Sequence, residues 1–454
     1  MAEIVLEIEH LNTSGDGVAR HRGQIITVPF TIPSERVRVS IDHSRARAAT
    51  LVEVVRRSPH RVQPGCSHFG VCGGCAWQHI AYPEQLRLKT QMVDRLVNRA
   101  VPNAPAALPM IAATPLEDPW HYRQKVHFVF GSPHRATSGP ALIMGHYARG
   151  SRRVMAVREC PVHDERGNTV AFGLLDAYTK ISGRRGLPTL KSIAIRVSGA
   201  THEAMATLVV TGNSDPRLRA ATRQALAAPW APSSFHVNVH PRGDAYIFGP
   251  QTRRIAGTER LRDEVGDATF LISPTAFFQT NVRAADILVR LVLLAVPTNV
   301  PVLDLYAGAG LFALPLAKRG QPVTAVEANR DAVEDGEASV RLSRVPAERC
   351  RFVVEPVSAF TSTIARQRGK LVRAVILDPP REGCEAVVVD DVFGRIRPTT
   401  AVYVSCNPET LARDLALIVG HGYAIQSMQP VDMFPHTPHI ETVVTLTPRR
   451  TSKA

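Results

Sequence analysis

The sequence lacks the long apolar run that would span a membrane. Its most apolar stretch, residues 288–317, is interrupted by Arg290, Pro297, Asn299, Pro301 and Asp304, whereas a helix that crosses a bilayer needs about 20 apolar residues. The first ten residues are acidic and alternate polar with apolar side chains like a strand, which does not suit a secretory signal. We therefore expect no membrane association, and a cytoplasmic protein with reduced thiols.

Internal repeats and strong compositional bias are absent as well. Hydrophobic residues make up 44% of the chain and charged residues 21%, which is ordinary globular usage and excludes wholesale disorder. A chain of 454 residues is too long for one hydrophobic core. We expect a monomeric enzyme of several domains.

Positive charge is unevenly distributed along the chain. The formal net charge is +14, and residues 61–265 contain 26 basic but only 14 acidic residues, while the flanking segments are nearly balanced. A localised basic surface fits a polyanion such as RNA, whose phosphates supply most of the affinity. Surface charge that only improves solubility would give the same count.

The chain divides into three segments with different patterns of polar and apolar residues. Residues 1–60 contain short strand-like stretches separated by turn residues such as Gly15-Asp16-Gly17, which predicts a small β-barrel of the oligonucleotide-binding kind and resembles a TRAM domain. Residues 61–265 combine a cysteine-rich stretch, a helix that we interpret as structural, and alternating segments typical of a central α+β domain. From 266 to 450, apolar strands alternate with helices, which indicates an α/β domain with a doubly wound, mostly parallel sheet.

A glycine-rich loop follows the strand at residues 301–306. Gly308 and Gly310 let the backbone turn tightly and approach a ligand, and the next strand ends in Glu327, whose carboxylate can accept hydrogen bonds from two ribose hydroxyls. This loop fits NAD and S-adenosylmethionine equally well. Other motifs must decide between the two cofactors.

Cys406 lies where a late strand gives way to a helix. Asn407 is a good N-cap and Pro408 suits the first helical position, so we expect the helix dipole to lower the pKa of the thiol and favour the thiolate. A thiolate that adds to carbon 6 of uracil makes carbon 5 nucleophilic enough to take a methyl group from a sulfonium. A base must then remove the proton from carbon 5; Glu441 is our candidate, and His439 a weaker one.

Four cysteines predict a site for a metal ion or an iron-sulfur cluster. Cys66, Cys72 and Cys75 lie close in sequence and Cys160 is distant, and four cysteines suit either zinc or an iron-sulfur cluster. The wide spacing between Cys66 and Cys72 and the isolated fourth cysteine fit poorly with paired zinc knuckles. Cys350 and Cys384 have no partner in sequence, and we interpret them as structural.

Five motifs in order together resemble the RNA 5-methyluridine methyltransferase family, which has ribosomal-RNA and transfer-RNA branches. They are residues 273–281, 304–312, 378–383, 405–408 and 432–441. The resemblance implies the following site residues: Gln279, Tyr306, Glu327 and Asp378 around S-adenosylmethionine, Cys406 as nucleophile and Glu441 as base. Leu311 departs from the pattern, since similar enzymes often carry an asparagine there that contacts the cofactor.

The cysteine arrangement is similar to the 4Fe-4S site of the ribosomal-RNA branch. The resemblance therefore favours a 4Fe-4S cluster over zinc on Cys66, Cys72, Cys75 and Cys160, and ribosomal RNA over transfer RNA as substrate. The cluster would stabilise the middle domain or help to hold RNA. We expect basic residues nearby, namely Arg149, Arg152, Arg153 and residues 122–125, to contact phosphates, and the target uridine to be flipped out or single-stranded.

Three other functions share some of these features. An RNA 5-methylcytidine methyltransferase also uses a cysteine nucleophile, an iron-sulfur NAD or flavin oxidoreductase would use the glycine loop, and a non-catalytic RNA-binding protein would need only the basic surface. Arg381 stands where methyltransferases of exocyclic amines carry an aromatic residue, which argues against an amine as the target.

Overall fold

The computed structural model describes residues 2–41, 49–133, 142–182, 187, 189–212, 215–241, 247–367 and 372–449. The amino-terminal strands are β1 (Ala2–Glu7), β2 (His10–Leu11), β3 (Gly17–His21), β4 (Gln24–Val28), β5 (Arg36–Ile41) and β6 (Ala49–Arg56). They form two three-stranded sheets, in the orders β1-β5-β6 and β2-β3-β4. Alternate side chains such as Val37 and Val39 are buried between the sheets, because successive residues of a strand point to opposite faces. The expected small β-domain is present.

A seven-stranded sheet dominates the middle of the chain. The elements that follow the barrel are α1 (Tyr82–Ala100), β7 (Ile111–Ala112), β8 (Lys125–Gly131), β9 (Ile143–Tyr147), β10 (Val154–Ala156), α2 (Glu165–Ser182), β11 (Leu190–Val197), β12 (Ala204–Val210), α3 (Pro216–Ala225), β13 (Ser234–Val239) and β14 (Gln251–Ala256). The sheet has the order β10-β9-β8-β11-β12-β13-β14. Helices α2 and α3 cover one face, where Leu174, Leu218 and Leu208 share a core.

The last part of the chain is a doubly wound sheet, as expected. A hairpin of β15 (Leu261–Val265) and β16 (Ala268–Ile272) leads into α4 (Val282–Ala295), β17 (Val302–Leu305), α5 (Ala313–Lys318), β18 (Val323–Glu327), α6 (Arg330–Leu342), β19 (Cys350–Val354), α7 (Val357–Arg366), β20 (Ala374–Leu377), α8 (Ala386–Val389), a π-helical turn over Asp390–Ile396, β21 (Thr400–Ser405), α9 (Pro408–Gly420), β22 (Tyr423–Asp432) and β23 (Glu441–Pro448). The strand order is β19-β18-β17-β20-β21-β23-β22-β7. The first five are parallel, and β23 runs antiparallel to both neighbours.

One strand and one helix from the first third of the chain pack with this C-terminal sheet. Strand β7 pairs in parallel with β22, with Ile111 opposite Val431, and α1 shares an apolar core with α9. The segment 61–265 therefore contributes to the hydrophobic core on each side of the C-terminal sheet as well as to that of the seven-stranded sheet. Neither α1 nor any other helix of the described residues is long and apolar enough to cross a membrane.

A buried ion pair joins α1 to the end of β22. The Lys89 Nζ atom lies 2.6 Å from Asp432 Oδ1, and neither side chain is accessible to solvent. The same ammonium donates to the Phe434 carbonyl at 3.0 Å. Burial lowers the pKa of Lys89, while the Asp432 carboxylate raises it. Such a pair ties its two elements together, because separating the partners leaves an uncompensated charge in the interior.

Removal of the ammonium should destabilise the protein strongly. We expect Lys89→Met to lower the free energy of unfolding by about 3–5 kcal/mol, because Asp432 is left buried without its cation. Arg341→Met is the control: its ion pair with Glu337 is exposed on both sides and should be worth about 0–1 kcal/mol. Urea denaturation followed by tryptophan fluorescence measures both. Equal losses for the two variants would contradict the role of the buried pair.

Candidate active site

The parallel register brings the candidate residues to one edge of the C-terminal sheet. Tyr306 follows β17 and Asp378 follows β20, and the Asp378 amide donates to the Leu305 carbonyl at 3.2 Å. On the next strands Ser405 lies opposite Thr442, so the next position along each strand places Cys406 beside Glu441. The carboxyl ends of strands are where ligands bind in this kind of sheet.

The local sequence around Cys406 folds as expected. Asn407 caps α9 in an extended conformation (φ −141°), and its side-chain oxygen accepts a hydrogen bond from the Glu409 amide at 3.1 Å. The Asn407 amide group donates to the Arg381 carbonyl at 2.9 Å, and the Thr410 hydroxyl donates to the same oxygen at 3.2 Å. The start of α9 therefore fixes both the thiol and the Arg381 loop.

The expected thiolate is not favoured by its surroundings. The pKa of Cys406 is raised to about 12, first by burial and then by the carboxyl groups of Glu441 and Asp378, while the Arg381 guanidinium and a backbone hydrogen bond act in the opposite direction. The expectation that the helix terminus would lower this pKa is therefore wrong. Desolvation and two neighbouring acids outweigh a partial dipole charge.

The two carboxyl groups hold their protons more tightly than usual. Burial raises the pKa of Asp378 to about 7, and burial together with Asp378 raises the pKa of Glu441 well above its ordinary value, against the opposing effect of Arg381. Burial and the charge of Arg381 lower the pKa of His439 to about 4, so its imidazole is neutral. One exposed guanidinium, that of Arg381, lowers the pKa of both Cys406 and Glu441.

The glycine loop leaves open space for a ligand. Gly308 and Gly310 adopt φ values of +56° and +84°, and Tyr306 adopts +63°, which costs a non-glycine residue about 1–3 kcal/mol and is typical of functional sites. A Cβ atom at Gly308 would meet nothing within 4 Å, whereas one at Gly310 would lie 2.8 Å from the Phe352 ring. The Gly308 amide donates to Glu327 at 3.0 Å.

Both oxygens of the Glu327 carboxylate accept backbone hydrogen bonds. The Gly308 amide donates to one of them, and the Asn329 amide donates to the other at 2.8 Å. Its partial exposure leaves the remaining lone pairs accessible. Leu311, the departure noted in the sequence, is buried in the apolar core on one side of the sheet. It therefore offers no polar contact to a ligand.

The Gln279 loop is held by the central sheet. Arg196 donates to the carbonyl groups of Phe278 and Gln279 at 3.1 and 3.3 Å, and the Lys125 ammonium donates to the Ala276 carbonyl at 3.0 Å. The Gln124 side chain accepts from the Val282 amide at 3.0 Å. Lys125 and Gln124, which the sequence suggested as phosphate contacts, instead join two parts of the protein.

The groups that hold the loop before Glu441 were not predicted from the sequence. The amides of Ala76 and Trp77 donate to the His436 carbonyl at 3.0 and 2.9 Å, and the Gln85 side-chain oxygen accepts from the His436 amide at 2.8 Å. Tyr122, another suggested phosphate contact, donates its hydroxyl to the Pro435 carbonyl at 3.0 Å. The spacing of four between Gln85 and Lys89, two polar residues on the buried face of α1, was the available signal.

Of the suggested basic contacts, the arginines after β9 are exposed. Arg149 forms an ion pair with Asp16 at 2.6 Å, and its guanidinium lies 4.8 Å from the centre of the Phe30 ring. It therefore connects the barrel to the central domain, while Arg152 and Arg153 point to solvent.

The four cysteines line one cavity. Cys66, Cys72, Cys75 and Cys160 surround a space of about 350 Å³ together with three histidines and Arg123. Burial raises the pKa of Cys75 to about 12 and of Cys160 to about 11, and each of these two is influenced by the other cysteines of the set. Within the part of the chain that the structure describes, no group of three or more His, Cys, Asp or Glu is arranged to hold a metal ion. The cluster stays a prediction.

Relatives of the chain are RNA methyltransferases. A family model described as tRNA (uracil-5-)-methyltransferase matches residues 202–449. An uncharacterized RNA methyltransferase of Thermosynechococcus vestitus is 33% identical over 98% of both chains, and one of Gloeobacter violaceus is 32% identical over 98% of this chain and 96% of the relative.

A solved structure shares the whole architecture. The tRNA (uracil-54, C5)-methyltransferase of Pyrococcus abyssi, in complex with S-adenosyl-L-homocysteine, is 26% identical and superposes with a TM-score of 0.77 over 98% of this chain and all of that one. The family match covers more than half of the sequence, including every motif at the sheet edge. The chain therefore belongs to the tRNA (uracil-5-)-methyltransferase family of RNA methyltransferases.

Proposed function

We propose that this chain methylates carbon 5 of a uridine in RNA through a covalent bond between Cys406 and carbon 6. The observation that carries the proposal is the register of β21 and β23, which places a thiol and a carboxyl group side by side at the ligand edge of the sheet. A nucleophile and a base in adjacent positions are what this chemistry requires. Membership in the uracil-5-methyltransferase family supports the same reaction.

We propose S-adenosylmethionine as the methyl donor, since it supplies an electrophilic methyl group on a positively charged sulfonium. The open space at Gly308, next to the ordered carboxylate of Glu327, suits a bound nucleoside. Tyr306 and Asp378 lie on the same edge, and Gln279 lies on the loop held by Arg196. The relative from Pyrococcus abyssi binds the demethylated product of this donor.

The side chains of the site divide the reaction among them. Cys406 loses its proton to water, and its sulfur forms a bond to carbon 6 while the electron pair of the ring double bond moves towards carbon 5 and the carbonyl oxygen. Carbon 5 then takes the methyl group. The Glu441 carboxylate removes the proton from carbon 5, the double bond re-forms and the bond from carbon 6 to sulfur breaks. Arg381 favours both anions, because its charge lowers the pKa of the thiol and of Glu441.

The RNA must present the uridine outside a base stack. Phe277, beside Gln279, has 75% of its side chain exposed and offers an aromatic face on which a base can stack. Arg152 and Arg153 are exposed cations for phosphates. We propose ribosomal RNA as the substrate because of the cysteine arrangement; transfer RNA is the second candidate, since the family description and the archaeal neighbour both refer to tRNA.

We further propose that Cys66, Cys72, Cys75 and Cys160 hold a 4Fe-4S cluster. Four cysteine sulfurs are the donor set of such clusters, and here they surround a cavity. Cys75 immediately precedes the amides that hold the His436 carbonyl. In this position the cluster would stabilise the segment that supports the catalytic loop.

Covalent trapping tests the main proposal. RNA that contains 5-fluorouridine should form a stable protein-RNA band with S-adenosylmethionine, because fluorine cannot be removed as a proton is, so the adduct accumulates. The Cys406→Ala variant should give no band and no transfer of labelled methyl groups. Ribosomal and transfer RNA transcripts, assayed separately, identify the substrate. Methyl transfer at the wild-type rate by Cys406→Ala would eliminate the mechanism.

Alkylation rates test the electrostatics of the thiol. Glu441→Gln should make Cys406 react several-fold faster with iodoacetamide near pH 8, because removal of a neighbouring acid lowers the pKa of the thiol, and Arg381→Gln should make it react more slowly. Glu409→Gln, an exposed carboxylate in the first turn of α9, is the control and should change little. The rate in all variants should rise with pH from neutral to alkaline. Mass spectrometry of the Cys406 peptide gives the rates, and changes of the same sign in the first two variants would refute this picture.

Metal analysis tests the cysteine site. Protein purified without oxygen should contain about four iron atoms per chain and absorb visible light, as 4Fe-4S proteins do, and Cys75→Ser should lose both signals. Cys350→Ser, which changes a buried thiol outside the cavity, is the control and should keep them. Stoichiometric zinc in place of iron would overturn the cluster assignment.

A further inference from the structure

A second cavity lies in the central domain, away from the four cysteines and from the ligand edge of the C-terminal sheet. It encloses about 300 Å³ between α3 and strands β12 to β14, which is at the lower end of the range for small-molecule sites. Its floor is apolar, and includes Leu208 and Val237. Ile255 on the outer strand has 41% of its side chain exposed, so helix α3 leaves this side of the sheet partly uncovered.

The rim of this cavity is strongly basic. Arg219 and Arg223 on α3 and Arg253 on β14 line it, and Asp215 is the one carboxylate among the described residues of the lining. That carboxylate is already bound, because it accepts hydrogen bonds from the Arg217 amide at 2.9 Å and from its guanidinium at 3.0 Å. An apolar floor below three guanidinium groups fits a flat ring that carries a phosphate.

The position suits an RNA strand that also reaches the catalytic edge. Arg196, which donates to the Gln279 carbonyl, is paired with Met205 of β12. Leu208 lies three residues further, about 10 Å along the strand at roughly 3.3 Å per residue, and on the opposite face of the sheet. Strand β14 forms the outer edge of the sheet, and residues 251–255 are all exposed. A polynucleotide can therefore pass over this edge into the cavity.

We propose that the cavity between α3 and β14 binds one unpaired nucleotide of the RNA substrate outside the target uridine, with the base on the apolar floor and its phosphate on the arginines. The inference rests on the proposed function in that the ligand is the RNA being methylated. It adds a recognition site that depends on shape and charge and lies apart from the catalytic residues. The excess of basic residues in this part of the chain is consistent with it.

Two neighbouring arginines give a matched test. Arg253 lines the cavity, whereas Arg254 is equally exposed but points to the other face of the sheet. Arg253→Ala should weaken binding of a fluorescein-labelled oligouridylate several-fold and reduce the slope of log affinity against log salt by about 0.7, the value for one phosphate contact on a single strand. Arg254→Ala should change both much less. Equal effects of the two substitutions would overturn the proposal.

A second variant tests the floor without changing charge. Val237→Trp fills the cavity and should abolish cross-linking of a 4-thiouridine oligonucleotide to the peptides that line it, while the salt dependence stays that of the wild type. If this variant fails to fold, the comparison of Arg253 with Arg254 still decides. Persistent cross-linking in folded Val237→Trp would overturn the proposal. Self-association of the wild type that Val237→Trp abolishes would also overturn it, and would assign the cavity to another copy of the chain.

The proposed function can fail separately. Arg254→Ala should transfer labelled methyl groups as the wild type does, because Arg254 lies neither in the cavity nor at the ligand edge of the C-terminal sheet. If the wild type transfers no methyl group to RNA, the proposed function is wrong. If the wild type is active and the two arginines behave alike, only the nucleotide site is wrong.

Discussion

The active site depends on one buried contact between distant parts of the chain. The ammonium of Lys89 and the carboxylate of Asp432 meet where no water reaches them, and between Asp432 and Glu441 the chain makes no regular structure of its own. This loop takes its shape from α1 and from the residues that follow Cys75, through hydrogen bonds to His436. Without those partners Glu441, which we propose as the general base, would lie at the end of an unsupported loop.

The same pocket is crowded with acids. Asp378 raises the pKa of Glu441, both carboxyl groups raise the pKa of Cys406, and the exposed guanidinium of Arg381 opposes these effects at Cys406 and Glu441. Each additional negative charge in this pocket is therefore unfavourable. A cationic donor would change this balance, since positive charge favours the anionic forms of all three groups. Activation then depends on what is bound.

The chemistry was more predictable from sequence than the supports that position it. Strand-to-helix switches such as the one at Cys406 follow from local rules of capping and proline placement, and those rules hold here. The pKa of the thiol was misjudged because desolvation depends on neighbours that no local pattern reveals. The contact between Lys89 and Asp432 spans 343 positions, and strand β7 joins a sheet whose other strands begin nearly two hundred residues later. Such pairings are set by the global topology.

The use of β7 as the outermost strand of the C-terminal sheet has a consequence for how the protein is made. During synthesis α1 and β7 leave the ribosome long before α9 and β22 do. The apolar face of α1 therefore emerges with nothing to cover it. Contacts between segments so far apart form slowly, and transiently exposed apolar surface promotes aggregation. The C-terminal sheet can complete its fold only after β22 and β23 have been synthesised, and the segments of α1 and β7 must stay available until then.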